Sequence, residues 1–213
     1  GAAVVISGRK PDEVEAAMAK MTGEVGGADV RGVVADLGTA DGCAKLVDAE
    51  PAPDILVNNV GFFGPSDVLE TTDDEWRTIL DVNFMSGVRL SRALVPGMVD
   101  RGWGRVVNIT SGSVKAPIPQ LGLSNSARAG LTGYVAGTSR QVAPFGVNIN
   151  NLLPGIHDTD RAETLDGGVA RAQNISIEDA RAQRIATIPA RRYGTSADFG
   201  AMCAFLCSDR AQF

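Results

Sequence analysis

Short β-branched runs alternate with amphipathic stretches along almost the whole chain. The runs "AAVVIS", "DVRGVVA", "DILVNN", "RVVNIT" and "VNINNLLP" have the length and residue types of buried strands. Between them, "KPDEVEAAMAKM" and "TADGCAKLVDAE" place apolar residues at helical spacing, and Thr39 is a natural cap for the second. A long helix is predicted from about Asp73 to Asp100, with Trp76, Ile79, Leu80, Phe84, Val88 and Leu94 on its apolar side. Another covers Ser124 to Val142, where Ala127, Ala129, Gly130, Gly133, Ala136 and Gly137 permit close approach and lower helix propensity. That helix is expected to lie against a flat surface. Alternating strands and helices are the rhythm of an α/β fold with a parallel sheet. Residues 157–188 are polar and lack an evident cap, and read as a substrate flap. With no internal repeat and no linker, one domain over 1–213 is predicted.

Composition narrows the choice of partner. Hydrophobic residues make up 44% of the chain, enough for a core, and the net charge is -5 with no cluster of Lys or Arg. Nucleic acid and anionic membranes are therefore poor partners, and a small molecule is the better one. No stretch is apolar enough to cross a bilayer and no secretory leader is evident, so a cytoplasmic location is expected. Cys43, Cys203 and Cys207 are odd in number and lack C-x-x-C spacing, which argues against a disulfide framework or a metal site.

Five segments carry a resemblance. "DILVNNVG", "LDVNF", "GRVVNITS", "NINNLLPGIHDTD" and "IPARRYGTSADFGAMCAFLCSD" occur in that order, and through them the chain resembles the short-chain dehydrogenase/reductase family over nearly its whole length. The resemblance implies a Rossmann-like doubly wound parallel sheet in three layers, a nicotinamide cofactor, and a homo-oligomer, tetramer or dimer, formed through the two long helices. It also implies a first strand with a glycine-rich phosphate turn ahead of Gly1 and a last strand beyond Phe213. The sequence is accordingly expected to be part of a longer polypeptide.

The cofactor reading rests on both sides of the implied crevice. Where a carboxylate would bind the ribose hydroxyls of NAD, the chain has Gly8 followed by Arg9 and Lys10, which favours NADP(H) over NAD(H). A solvated Arg9 is the alternative. Asp36 matches the family residue at the adenine amino group and is equally suited to a turn, while Asn59 and Gly61 match the adenosine ribose contact. Gly64 and Pro65 would shape the loop that follows. Pro154, Gly155, Ile156 and Thr159 in "PGIHDT" match the segment that holds the nicotinamide carboxamide. His157, the sole histidine, lies inside that segment and is not expected to be a general base.

The catalytic positions depart from the family pattern. Ser111 matches the serine that donates to the substrate oxygen, and Asn83 the asparagine of the proton relay, although a polar kink in a helix also explains Asn83. The family tyrosine and lysine fall at Ser124 and Arg128, so Y-x-x-x-K has become S-x-x-x-R. An aliphatic hydroxyl does not ionise near working pH, and an arginine is a poor proton carrier. Lys115 and Tyr193 are possible substitutes, more simply read as solvated and core-edge residues. The expectation is an oxidoreductase interconverting a carbonyl and an alcohol through a non-standard relay. A cofactor-binding but silent sensor or structural subunit is the alternative, and a non-redox lyase or epimerase on the same fold stays open.

Overall fold

A computed structural model describes residues 1–61 and 68–212. All five predicted strands form: β1 (Val4–Gly8), β2 (Val30–Val34), β3 (Ile55–Asn58), β4 (Gly104–Ile109) and β5 (Val147–Leu152). The helices are α1 (Pro11–Glu24), α2 (Ala40–Ala49), α3 (Asp73–Leu80), α4 (Ser86–Arg101), α5 (Gly122–Val142), α6 (Asp160–Gln173), α7 (Ile177–Thr187) and α8 (Ser196–Leu206). Pairing is parallel throughout, with β1 beside β2 and β4 between β3 and β5. Among the described residues no backbone pairing joins β1 to β3. Side chains on these two strands are correspondingly uncovered: β1 is half-buried along its length and Val57 on β3 is 44% exposed.

A single cluster nevertheless spans both sheets. Ala35 and Leu37, just beyond β2, and Cys43 of α2 join Leu56 of β3, Leu90, Leu94, Val95 and Met98 of α4, and Val106, Leu131, Val147 and Ile149. Every residue of β4 is buried, as a central parallel strand covered on both faces requires. The predicted helix from Asp73 onward is one continuous run broken by a π-helical turn at Asp81–Met85. Arg89 ties this turn to the loop after β2, pairing with Asp81 at 2.6 Å and donating to the Gly38 carbonyl at 3.2 Å.

Two readings need correction. The small residues of α5 do not line the sheet: Ala129, Gly130, Gly133, Ala136 and Gly137 are exposed, and only Ala127 of the set is buried. Leu123, Leu131 and Val135 take the inner face instead, because larger side chains remove more apolar area from water. The region 157–188 does have caps. Thr159 accepts from the Ala162 amide to start α6, Ser176 accepts from the Asp179 amide to start α7, and Asn174 closes α6 in the left-handed conformation at φ 54°. Isolated Thr, Ser and Asn are too common in sequence for these caps to stand out.

The Thr39 cap forms as expected and does a second task. Its hydroxyl oxygen accepts from the Gly42 amide at 3.0 Å, and its proton goes to the Asp36 carbonyl at 2.9 Å. Thr39→Ala should therefore cost about 0.5–2 kcal/mol of stability, read as a lower urea midpoint at unchanged slope.

Candidate active site

Parallel pairing brings the carboxyl ends of β3, β4 and β5 to one edge, where open α/β sheets bind ligands. At that edge the Asn58 amide nitrogen donates to the Asn108 carbonyl oxygen at 2.9 Å, linking two strands through buried side chains. Arg128 makes a second link. From α5 its guanidinium donates to the Ile109 carbonyl at 2.9 Å and to the Val60 carbonyl at 3.2 Å. The side chain is only 7% exposed, and among the described residues it pairs with no carboxylate. Burial pushes its pKa below the usual arginine range, yet arginine starts so high that it stays charged.

Gly61 shows how tightly this corner is filled. A Cβ at residue 61 would stand 2.1 Å from Arg128 Nη2 and 3.9 Å from Asn83 Oδ1. Glycine is thus required for the guanidinium to pass, and Gly61, Asn83 and Arg128 are brought together. Asn83 is 1% exposed on the π turn, whose extra residue per turn re-aims side chains relative to a regular helix. The break in the helix at Asn83 is this π turn. Ser124, also buried, lies one helical turn before Arg128.

Ser111 lies two residues beyond the end of β4. Its side-chain oxygen accepts from the Ser113 amide at 3.1 Å, which leaves its own proton free to donate. The next residue borders residues 154–159, since a Cβ on Gly112 would lie 3.6 Å from the Pro154 carbonyl oxygen. Two further hydroxyls escaped the sequence reading as individual groups. Among the described residues, Thr110 Oγ1 and Ser113 Oγ are buried without hydrogen-bond partners, and only the density of hydroxyls in "TSGS" hinted at them.

The remaining predicted positions divide by placement. Arg9 is exposed beyond the end of β1 and pairs with no carboxylate among the described residues, whereas Lys10 is engaged with Glu13 at 2.6 Å. Asp36 accepts from the Gly38 amide at 3.0 Å, so the turn reading holds and one carboxylate oxygen remains free of that bond. Asn59 is exposed at the end of β3. Gly64 and Pro65 lie outside the described residues. The Ile156 carbonyl accepts from the Gly194 amide at 3.0 Å, and Thr159 is occupied as the α6 cap.

Other candidates are held away from chemistry. His157 approaches the Gly155 carbonyl with Nδ1 at 3.2 Å and meets Phe199 edge-on at 5.2 Å between ring centroids. Lys115 is exposed. Tyr193 is buried with its hydroxyl on Asp166, and burial, more than its neighbours, raises its pKa. Burial raises the Cys43 thiol, and burial together with Cys203 pushes Cys207 up to about 12, so neither supplies a thiolate nucleophile. Among the described residues no three His, Cys, Asp or Glu side chains are placed to hold a metal, and no helix is long and apolar enough to cross a membrane.

The likeness to known proteins runs the length of the chain. A family profile described as Enoyl-(Acyl carrier protein) reductase matches residues 1–213. Dehydrogenase/reductase SDR family member 4 of Bos taurus is 32% identical over 220 residues, covering 100% of this chain and 74% of that protein. The uncharacterized oxidoreductase YvrD of Bacillus subtilis (strain 168) is 32% identical over 218 residues, covering 99% of this chain and 82% of that one. The solved L-sorbose reductase of Gluconobacter frateurii, complexed with NADPH and L-sorbose, superposes with a TM-score of 0.92 at 25% identity, covering 100% and 82% of the two chains. Profile, relatives, Rossmann-like parallel sheets and the residues gathered at the strand ends agree: the chain is an oxidoreductase that belongs to the short-chain dehydrogenase/reductase family.

Proposed function

We propose that the chain is an NADP(H)-dependent oxidoreductase that interconverts a carbonyl and an alcohol on a small molecule, with a proton relay that lacks the usual tyrosine and lysine. The observation that carries this reading is the meeting of Asn83 and Arg128 at Gly61, with Ser111 just beyond the neighbouring strand β4 and Gly112 close to the Pro154 carbonyl. The cofactor, when bound, supplies or accepts a hydride. Ser111 donates to the oxygen on which charge develops, and Arg128 adds a fixed positive charge in a dry corner. Ser124 offers a hydrogen bond but no acid, so the proton that completes the alcohol comes from water.

Preference for the 2'-phosphate follows from the end of β1. A Cβ at residue 8 would lie 2.9 Å from Val14 Cγ2, so packing against α1 favours glycine where an NAD-type carboxylate would stand. Among the described residues Arg9 beside it pairs with no carboxylate, and its planar fork suits a phosphate. The NADPH recorded with the L-sorbose reductase supports the same choice. Asp36, Asn59 and Gly61 would border the adenosine, and Pro154, Ile156 and Thr159 the nicotinamide, with the backbone of the latter segment doing the holding. Three unpaired cysteines favour a cytoplasmic protein. The 157–188 hairpin serves as the substrate flap of this domain.

Three outcomes are expected. Arg9→Ala should weaken NADPH binding about 10- to 150-fold and leave NADH nearly unchanged, as loss of a charge-assisted bond predicts; equal weakening of both in a fluorescence titration would make Arg9 structural. Single-turnover reduction of simple ketones should be slow in the wild type and rise toward the ~10²- to 10⁴-fold worth of general acid catalysis in the Ser124→Tyr, Arg128→Lys pair, once folding of the pair is verified. Binding without turnover in both would favour a silent cofactor-holding protein, and a fast wild type slowed by the pair would mean an unassigned proton source. The exposed small-residue face of α5 should close a homo-oligomer, tetramer or dimer, with a monomer by light scattering at micromolar concentration counting against it.

A further inference from the structure

Asp166, on α6, is 1% exposed, yet nothing in the hydride-transfer site uses it. Arg184 of α7 pairs with it at 2.7 Å, and the Tyr193 hydroxyl lies 3.0 Å from both carboxylate oxygens. A carboxylate taken out of water in this way is tolerable only with such partners. Arg184 also donates to the Ala162 carbonyl at 3.4 Å, so the cluster grips both helices of the hairpin.

Tyr193 extends the grip to the cofactor segment. It is 6% exposed, and its neighbour Gly194 forms a parallel bridge with His157. The Gly194 amide donates to Ile156 and the Gly194 carbonyl accepts from the Asp158 amide at 2.8 Å. Asp158 in turn pairs with Arg181 of α7 at 2.7 Å, and that guanidinium sits 4.5 Å from the centre of the Tyr193 ring. Ring burial alone would be satisfied by phenylalanine. The hydroxyl bonds Asp166 and also interacts with Arg184, the carboxylate's other partner.

We propose that Tyr193, Asp166 and Arg184 form a latch that couples the α6–α7 hairpin to residues 154–159, so that the two move as one piece. Tyr193 is a positioning residue. The consequence for cofactor retention rests on the NADP(H) reading above, whereas the mechanical coupling does not. The two are separable by experiment.

Amide hydrogen exchange of the ligand-free chain tests the coupling directly. Tyr193→Phe should speed exchange by about tenfold or more, the value of a lost bond to a charged group, in 154–159 and in 160–187 together. Exchange in β3, β4 and β5 should stay at wild-type rates, which a merely structural loss of stability would not allow. Asp166→Asn should give the same pattern, and Tyr193→Phe should add little in its background. If Asp166→Asn does not fold, Tyr193→Phe alone decides. Unchanged exchange in the hairpin, faster exchange there with 154–159 unaffected, or equal acceleration in the sheet would each overturn the latch. An NADPH titration then shows faster dissociation from Tyr193→Phe; failure of the wild type to bind NADPH would instead count against the cofactor reading and leave the exchange result standing.

Discussion

The site depends on a buried cation that, among the described residues, pairs with no carboxylate. Arg128 reaches from α5 to the carbonyls of Val60 and Ile109, fastening the strand ends on which Gly61 and Ser111 follow. Desolvating a guanidinium is expensive, and two carbonyl dipoles offset that cost only while both are held in place. The glycine at 61 and the buried asparagine at 83 are arranged around this demand. A lysine, a point charge on a single nitrogen, would meet the same carbonyls without a rigid fork. At this position the rigid fork makes the arginine a clamp between two strand ends.

The same logic separates binding from chemistry. Donors and a fixed charge survive at the site: the Ser111 proton is left free by the bond from Ser113, and three of the five Arg128 N–H groups are not needed for the two carbonyls. The two ring side chains weighed as proton sources are engaged by their neighbours. His157 is confined by Phe199 and Gly194, and Tyr193 is committed to Asp166.

Around the crevice, rigidity is distributed unevenly. The sheet side is fixed by parallel pairing and by the cluster through β4, whereas the 154–195 side is held by a few polar contacts converging on Asp166. Elements that admit a ligand are drawn from such lightly held parts of a fold. A buried carboxylate suits the purpose, since its contacts are directional and break together.

The sequence by itself determined the strands, the helix ends at Thr39 and Asp73, the α/β class and the family, because apolar periodicity and capping act over a few residues. It also pointed to Ser111 and Asn83 as matches to the family's pattern and to Ser124 and Arg128 as departures from it. Only the tertiary structure decided how those residues are used. That Arg128 would be tied to Val60, 68 residues away, and Asp166 to Tyr193, 27 away, depends on which strand ends and helices lie side by side. The outward face of α5 has the same origin, since local composition shows that a helix can be approached closely and not from which side. Burial turns an arginine from a solvated charge into a clamp and a tyrosine from an acid into a latch, and burial is a property of the assembled layers.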